Sequence, residues 1–194
     1  MTYPTITKNA WLNGQGIDAA SAHSAFPGTT GSNEISGGAP AYARKTIVLN
    51  AASGGSRGQN AAVIFDVPAS TVRWIGYWYL GAFVLTAPNG GATPKNFMAS
   101  PSTDLVYSTG HGWADTQKIA FFQGTPPTPL IEGTTYFVRD STVDSFKVAA
   151  AAGGVAIDLT AASSFGCVVC AITEEVYGIQ GTHTLNTTTV TVPD

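Results

Sequence analysis

Histidine, serine and aspartate occur close together near residue 111, and these residue types can perform nucleophilic catalysis. His111 lies between two glycines, with Ser108, Asp104 and Asp115 nearby in the sequence. A Ser-His-Asp triad, however, is assembled from distant segments and holds its serine on a strained turn. Glycines on both sides of a residue instead favour a tight turn with unusual backbone angles. We therefore predict that His111 caps or hydrogen-bonds a turn, and the chain as a whole is expected to be non-enzymatic, with no catalytic residue and no cofactor.

The remaining histidines and the acidic pairs carry weaker chemical signals. His23 and His183 are isolated in the sequence, which favours hydrogen bonding over metal ligation. Glycoside cleavage needs two carboxylates that face one cleft. Asp140 and Asp144 bracket a hairpin-like turn, where aspartate is ordinary turn chemistry. Glu174 and Glu175 are adjacent, so they point to opposite faces of a strand. Neither pair predicts an acid and a nucleophile.

Two cysteines, Cys167 and Cys170, form a C-x-x-C spacing that could indicate zinc or redox chemistry. The two residues between them are valines, which are typical of a strand. Positions three apart in a strand point to opposite faces with Cα atoms roughly 10 Å apart, too far for a disulfide or one metal ion. We predict two small buried apolar residues and no metal site.

The composition describes a turn-rich chain with little charge. Charged residues make up 11% of the 194 residues, and the formal net charge is −3. Soluble domains usually have roughly 25% charged residues. A surface built from Ser, Thr, Asn and Gln suits a protein that works inside an assembly, although a secreted β-domain would look similar. The few scattered basic residues predict no binding to nucleic acid.

Hydrophobic periodicity near two predicts an all-β protein throughout. A short helix at Thr5–Leu12 is the one exception, and no secretory signal or membrane-spanning segment is expected. The long polar loop after His23 precedes three strands that we expect to form a meander, namely Ala43–Asn50, Ala61–Val67 and Val72–Leu80. After a break at Ala87–Asn96, six short strands are predicted at Leu105–Tyr107, Gln117–Phe122, Thr134–Arg139, Ser145–Ala149, Val155–Leu159 and Cys167–Ile172. A Thr-rich alternating segment, Tyr177–Val192, closes the chain.

The stretch Arg73–Leu80 has apolar residues on both faces. Trp74, Gly76 and Trp78 share one face, and alternating residues including Ile75 share the other. A strand that is apolar on both sides belongs in the middle of a sheet. We expect a second sheet to cover one side, and an inserted segment or a neighbouring subunit to cover the other.

Two sets of motifs resemble proteins of bacteriophage particles. The first set resembles a family of tail-fibre-like or minor tail virion proteins and covers about the first 85 residues. Its pattern is a histidine-bearing strand, then PGxTGxNE, a Gly-Gly turn, YAR, a Val-Pro-Ala turn and a Gly-x-Trp strand. The matching residues are His23, Pro27, Gly28, Gly31, Asn33, Glu34, Gly37, Gly38, Tyr42, Ala43, Arg44, Val67, Pro68, Ala69, Gly76 and Trp78.

The second set resembles a repeat-like module of phage tail proteins, with T-G-H-G, G-T-x-Y-x-V, D-x-F-x-V and G-G-x-x-x-D-L-T. It is supplied here by residues 109–112, 133–138, 144–148 and 153–160. The chain departs from the module at Asp115-Thr116, where Gly-Asp is usual. In such modules the histidine marks a turn.

The resemblance also implies a domain organisation, because shorter relatives of the first family run from the Gly-x-Trp strand directly into a terminal strand pair. We predict an antiparallel, jelly-roll-like β-sandwich formed by residues 1–96 and 173–194, which would anchor the chain to the virion. Residues 97–172 would form a second small β-sandwich or barrel inserted near the C-terminus. Insertion at an exposed loop costs little because the ends of such loops are already close together.

The resemblance implies a multicopy structural role in a phage tail or its fibres, on the exterior of a virion assembled from proteins made in the host cytoplasm. The expected partners are other tail or capsid subunits and further copies of the chain, with a trimer favoured. Subunit contacts are expected at aromatic residues, with candidates at Trp78, Tyr79, Trp113, Tyr136 and Phe137. A capsid decoration protein and a receptor- or glycan-binding module remain as alternatives, the latter with aromatic side chains stacked on a host-surface glycan.

Overall fold

A computed structural model describes residues 17–51, 56–186 and 189–191, and these residues form strands, turns and loops without a helix. The predicted all-β class is confirmed, whereas the helix predicted at Thr5–Leu12 lies outside the described residues. The strands in chain order are β1 Ala19–His23, β2 Lys45–Thr46, β3 Ser56–Gly58, β4 Val63–Val67, β5 Ser70–Val72, β6 Trp74–Tyr79, β7 Ala82–Pro88, β8 Met98–Ser100, β9 Leu105–Tyr107, β10 Lys118–Phe122, β11 Tyr136–Arg139, β12 Ser145–Ala149, β13 Val168–Ala171, β14 Glu175–Tyr177, β15 Gly181–Leu185 and β16 Thr189–Thr191.

The described chain separates into two compact units. Residues 92–173 form a continuous unit, which we call the central unit. The described residues before 92 and after 173 form the other, which we call the discontinuous unit. Each unit has its own hydrophobic core.

The discontinuous unit contains a four-stranded antiparallel sheet in the order β2-β1-β6-β7. β6 is therefore an inner strand, as its two apolar faces predicted. Its Ile75 and Tyr77 side chains enter the core together with Ala20 and Ala22 of β1. On the opposite face, Phe26 lies against Trp74 with ring centroids 5.0 Å apart. The loop after β1 therefore covers Trp74 on the second side of the strand, where an inserted segment or a neighbouring subunit was expected.

A long antiparallel ribbon lies across this core. The segment 56–72 pairs with the segment 175–191 through β3 with β16, β4 with β15, and β5 with β14. Phe65, Val67 and Val72 point from the ribbon into the core, where they meet the four-stranded sheet. Two stacked antiparallel layers around one apolar core form a β-sandwich.

The meander predicted for the first three strands is wrong. The β4 and β5 strands pair with the C-terminal segment, and β6 pairs with β1 and β7. The prediction also missed β7, which follows β6 through a tight turn at Leu80 and Gly81. Both residues have positive φ, at 48° and 79°. Two successive positive φ values define a type I′ hairpin turn, for which a leucine gives no sequence signal.

The central unit is a six-stranded antiparallel sheet in the order β13-β10-β11-β12-β9-β8. Its two ends meet, because the Lys95 N–H donates to the Val169 carbonyl at 2.7 Å and the Val169 N–H donates back at 3.0 Å. The chain just before β8 therefore pairs with β13 and closes the sheet into a small barrel. Phe121, Val138 and Phe146 fill its interior.

Four of the six strands predicted in this unit differ in extent from the observed structure. β8 was not predicted, and the strand predicted at Val155–Leu159 is reduced to a single bridge between Ala149 and Ala156.

The thiols of Cys167 and Cys170 are both free and buried. Burial raises the pKa of each thiol to about 12, so both stay protonated and behave as small apolar groups, as predicted.

Candidate functional site

His111 is a structural part of a corner in the central unit. The flanking Gly110 and Gly112 have φ values of 56° and 71°, a conformation that residues with a Cβ rarely adopt. The Trp113 N–H donates to His111 Nδ1 at 3.0 Å, which leaves the ring proton on Nε2, 3.4 Å from the Ser145 carbonyl oxygen. The imidazole is 3% exposed. The prediction that His111 hydrogen-bonds a turn is confirmed.

The hydroxyl and carboxylates that are close to His111 in sequence are used in other turns. Ser108 Oγ donates to the Asn96 carbonyl at 3.0 Å. Asp104 Oδ1 and Asp115 Oδ1 each accept a backbone N–H at 2.9 Å, from residues 159 and 141 respectively. The three side chains therefore point at different parts of the chain, and no triad forms around His111.

A serine and a histidine do meet at a place that sequence analysis missed. Ser21 and His23 are two residues apart on β1, so their side chains share one face of the strand. His23 Nδ1 donates to the Ser32 carbonyl at 2.8 Å, because a carbonyl oxygen can only accept. Nε2 is then an acceptor for the Ser21 hydroxyl at 2.6 Å, and the Trp78 indole N–H donates to the same hydroxyl at 2.6 Å.

This Ser-His pair is closed off from substrate. Ser21 and His23 are both 0% exposed. Burial is the main reason why the pKa of His23 lies below its ordinary value, with the Ser32 hydrogen bond acting in the opposite direction. The pair resembles a nucleophile and its base in hydrogen bonding, but its third partner is a backbone carbonyl rather than a carboxylate. Its role is to satisfy three buried polar groups.

Five of the sixteen residues named for the first resemblance lie around this hydrogen-bond chain, namely His23, Gly31, Arg44, Gly76 and Trp78. A Cβ added at Gly31 would collide with the Trp78 indole, and one added at Gly76 would lie 2.5 Å from His23 Nε2. On Trp78, the guanidinium carbon of Arg44 lies 3.3 Å from the ring centroid. We call this group the Trp78 cluster and define it as Ser21, His23, Gly31, Arg44, Gly76 and Trp78.

Arg44 is also tied to another motif residue. Its guanidinium forms an ion pair with Glu34 at 2.8 Å. Tyr42, two residues before Arg44, accepts the Ala22 N–H at 2.7 Å with its hydroxyl. The YAR sequence thus anchors the loop after β1 to the strand itself.

The third histidine belongs to a small network on the ribbon. His183 Nδ1 lies 3.0 Å from Glu175 Oε2, and the Tyr177 hydroxyl donates to the same oxygen at 2.8 Å. Burial alone would raise the pKa of Glu175, but the hydrogen bonds from Tyr177 and His183 outweigh it and lower the pKa. The neighbouring Glu174 pairs with Arg73 at 2.7 Å, so the adjacent glutamates serve separate partners.

The other carboxylate pair behaves as turn chemistry. Asp140 has a φ of 49° and pairs with Arg139 at 3.2 Å. Asp144 Oδ1 accepts the Gly110 N–H at 2.7 Å and so fixes the His111 corner.

The sequence motif of hydrolase nucleophiles, G-x-S-x-G, occurs at residues 54–58. Its serine, Ser56, begins strand β3 and pairs with Thr191. A hydrolase elbow would place that serine between a strand and a helix.

Two of the predicted interface aromatics are core residues. Trp78 is 5% exposed because the other residues of the Trp78 cluster enclose it. Tyr136 is 7% exposed because it belongs to the core of the barrel. Neither offers a surface to a partner, so the predicted interface is corrected at these positions. Tyr79, Trp113 and Phe137 are half-buried.

These positions also bear on an aromatic platform for a glycan. Trp74 is fully buried, like Trp78, and Trp113 packs against Phe146 with ring centroids 5.6 Å apart. Trp74 and Trp78 therefore provide no open ring face, whereas Trp113 is half-buried and keeps part of its surface accessible.

An open groove in the central unit was not predicted. It has a volume of about 620 Å³. It lies between the turn after β10, the chain before β11 and the loop before β13. We call it the Phe165 groove, and its lining residues are Gln123, Gly124, Thr125, Pro126, Glu132, Ser164 and Phe165.

The loops on the two sides of this groove are held together by short hydrogen bonds. The Thr125 N–H donates to Ser164 Oγ at 2.8 Å, and the Ser164 N–H donates to the Thr125 carbonyl at 2.9 Å. A Cβ on Gly124 would lie 3.0 Å from Ser164 Oγ, so glycine allows the close approach. The two sides of the groove are therefore linked directly to each other.

Two groups in the groove are open to a further partner, the Phe165 ring and one oxygen of the Glu132 carboxylate. The Phe165 ring is fully exposed. Glu132 Oε1 is buried and has no hydrogen-bond partner among the described residues. Burial raises the pKa of Glu132, and the backbone N–H groups of Gly124 and Gln123 oppose this by hydrogen bonding to the carboxylate. Such residues, distant in sequence, give no motif from which the groove could have been found.

The described residues contain no group of three or more His, Cys, Asp or Glu side chains placed to hold a metal ion. Within the same residues, no helix has the length and apolar character needed to cross a membrane. Compared with protein-family models, curated proteins and solved structures, the chain gives no significant match.

Proposed function

We propose that this chain is a non-enzymatic structural protein of a bacteriophage particle, present in several copies in the tail or its fibres. The supporting observation is the Trp78 cluster. Five of the residues through which the sequence resembles tail-fibre-like proteins lie together in it, namely His23, Gly31, Arg44, Gly76 and Trp78. Each of the five has a packing or hydrogen-bonding role in the β-sandwich, which supports the interpretation of this part of the shared pattern as a pattern of fold.

The chemistry of the described polar groups is consistent with a structural role. Each of the three histidines is largely or fully buried and hydrogen-bonded to a turn, a strand neighbour or a carboxylate. The low charge of the chain suits a surface that is covered by neighbouring subunits. A structural protein of a particle would carry out its function through such contacts.

Immunogold labelling of particles from a culture that produces the chain tests this proposal. We expect gold at the tail or its fibres, and quantitative mass spectrometry of the purified particles should give a few to dozens of copies each. Label over the head with hundreds of copies would replace the tail assignment by capsid decoration. Absence of the chain from purified particles would contradict the proposal altogether.

A further inference from the structure

The Phe165 groove combines a carboxylate that has one unpaired oxygen with an aromatic ring that is fully exposed. Glu132 Oε1 is buried without a hydrogen-bond donor among the described residues. A buried carboxylate oxygen without a partner is costly, so a ligand that brings a donor gains affinity at this point. Phe165 exposes its whole ring at the same groove.

The charge of the groove determines which donor fits best. Glu132 is its one ionisable lining residue, and the other lining residues are neutral. A neutral hydroxyl would donate a hydrogen bond but leave the carboxylate charge uncompensated. An ammonium or guanidinium group would supply both the donor and the opposite charge. The face of a phenyl ring also attracts cations through its quadrupole.

The size and shape of the groove indicate how the cation is presented. Its volume of about 620 Å³ falls in the range of pockets that hold small ligands, ~300–1,000 Å³. The groove is open to solvent rather than enclosed, so a basic side chain can enter it while the flanking residues of its chain stay outside. Thr125 and Ser164 hold its two walls together through two hydrogen bonds.

We propose that the Phe165 groove binds a lysine or arginine side chain on an extended segment of a partner protein. Glu132 accepts the N–H groups of the cation, and Phe165 stacks on its charged head. This inference goes beyond the structural role proposed above. Binding in the groove is tested on the purified chain in solution. A negative result would therefore contradict the groove proposal without contradicting the proposed location of the chain in a phage particle.

The test titrates the full isotope-labelled chain with the capped tripeptide Gly-Arg-Gly and, in parallel, with the same peptide carrying citrulline, the neutral isostere of arginine. We expect the arginine peptide to shift the backbone amide resonances of Gly124 and Gly166, and the citrulline peptide to leave them in place. Equal shifts with both peptides would overturn the proposal, as would no shift with arginine up to the solubility limit of the peptide.

Variants assign the effect to the two side chains. Glu132→Gln removes the charge with little change of shape and should weaken binding of the arginine peptide about tenfold or more. Phe165→Ala should weaken it about three- to tenfold. Asp158→Asn changes an exposed carboxylate outside the groove by the same charge and should leave the affinity unchanged.

Two outcomes of the variant series count against the proposal. An equal loss of affinity in Asp158→Asn and Glu132→Gln would mean that the peptide responds to the overall charge of the chain. Neutral oligosaccharides that shift the Gly124 and Gly166 resonances where the arginine peptide does not would identify a saccharide site instead. The dispersed resonances of each variant report whether it remains folded.

Discussion

The Trp78 cluster can pack closely around position 76 because Gly76 has no side chain. A Cβ at this position would lie 2.5 Å from His23 Nε2, 2.7 Å from Ser21 Oγ and 2.9 Å from the Phe83 ring. We expect Gly76→Ala to lower the free energy of unfolding by about 1–3 kcal/mol, the usual cost of overpacking a filled core. Urea unfolding followed by tryptophan fluorescence measures the change.

Gly178 provides the matched control for this substitution. A Cβ added there meets nothing within 4 Å. Gly178→Ala should therefore leave the unfolding midpoint unchanged or raise it slightly, because alanine restricts the unfolded chain. Equal midpoints for the two variants would show that the Trp78 cluster is loosely packed.

Glu175 links the stability of the ribbon to pH. Burial alone would raise its pKa above the ordinary value of 4.5, but the hydrogen bonds from Tyr177, His183 and Asn89 and the electrostatic attraction of His183 outweigh burial and lower the pKa in the folded chain. A lowered folded pKa means that the unfolded chain binds the proton more readily. The stabilisation is therefore complete above the ordinary pKa and is lost as the pH falls through the folded value.

The Glu175→Gln variant tests this linkage. It should unfold at a lower temperature than the parent at pH 7, and the two melting temperatures should converge as the solution is acidified through the window just described. Asp158→Asn, which changes an exposed carboxylate, should follow the parent across the same range. A gap that stays constant with pH would assign the effect of Glu175→Gln to shape rather than charge.

The hairpin between β6 and β7 has a leucine at a backbone position that favours Asn or Gly. Leu80 has a φ of 48° and is 79% exposed, so no packing of its side chain offsets the left-handed conformation. Leu80→Asn places Asn-Gly in a type I′ turn and should raise the free energy of unfolding by about 0.5–1 kcal/mol. Thermal unfolding measures the gain.

A second substitution at position 80, with the opposite expected effect on stability, serves as the comparison. Leu80→Val brings a β-branched side chain to the same positive φ and should lower the melting temperature. The N–H of residue 80, which donates to Asp18 Oδ2 at 2.8 Å, is retained in both variants. A common response of the two variants would mean that backbone conformation does not limit the stability of this turn.

Strand positions could be read from the sequence where local alternation was clean, but strand partners could not. β9 and β12 match the predicted bounds, since the apolar alternation in residues 105–107 and 145–149 is set by local geometry. By contrast, β4 pairs with β15 and not with a sequence neighbour. Pairing across such distances depends on which faces meet in the core, and a single strand sequence does not encode it.

Among the candidate sites too, those built from neighbouring residues could be predicted from the sequence, and those built from distant residues could not. His111 could be understood from its own flanking glycines. The contact between Ser21 and Trp78 and the meeting of Glu132 with Phe165 depend on how distant loops fold together. Residues without a local motif become recognisable only when the backbone has placed them.

At the scale of the whole chain, the two places where the chain leaves and re-enters the discontinuous unit, near residues 91 and 174, lie close together. Asn89 Nδ2 donates to Glu175 Oε1 at 3.5 Å, so the segments that leave and re-enter this unit are neighbours. We expect a chain in which a short Gly-Ser linker replaces residues 92–173 to fold by itself, with dispersed amide resonances and cooperative unfolding. Residues 92–173 expressed alone should do the same.

The two products together decide whether the units are independent. If either gave only collapsed resonances while the intact chain was folded, the insertion hypothesis would be wrong. A midpoint of the excised barrel close to one phase of the intact chain would support it, because independent units unfold separately.

The hydrogen bonds between Lys95 and Val169 limit how molecules of this chain can join. Sheets with open sides tend to recruit further strands from other molecules and grow into fibrils. In the central unit, the backbone groups of Lys95 and Val169 are already engaged with each other across the seam of the barrel. A neighbouring molecule cannot add a strand at this pair, so a subunit that docks there must recognise side chains.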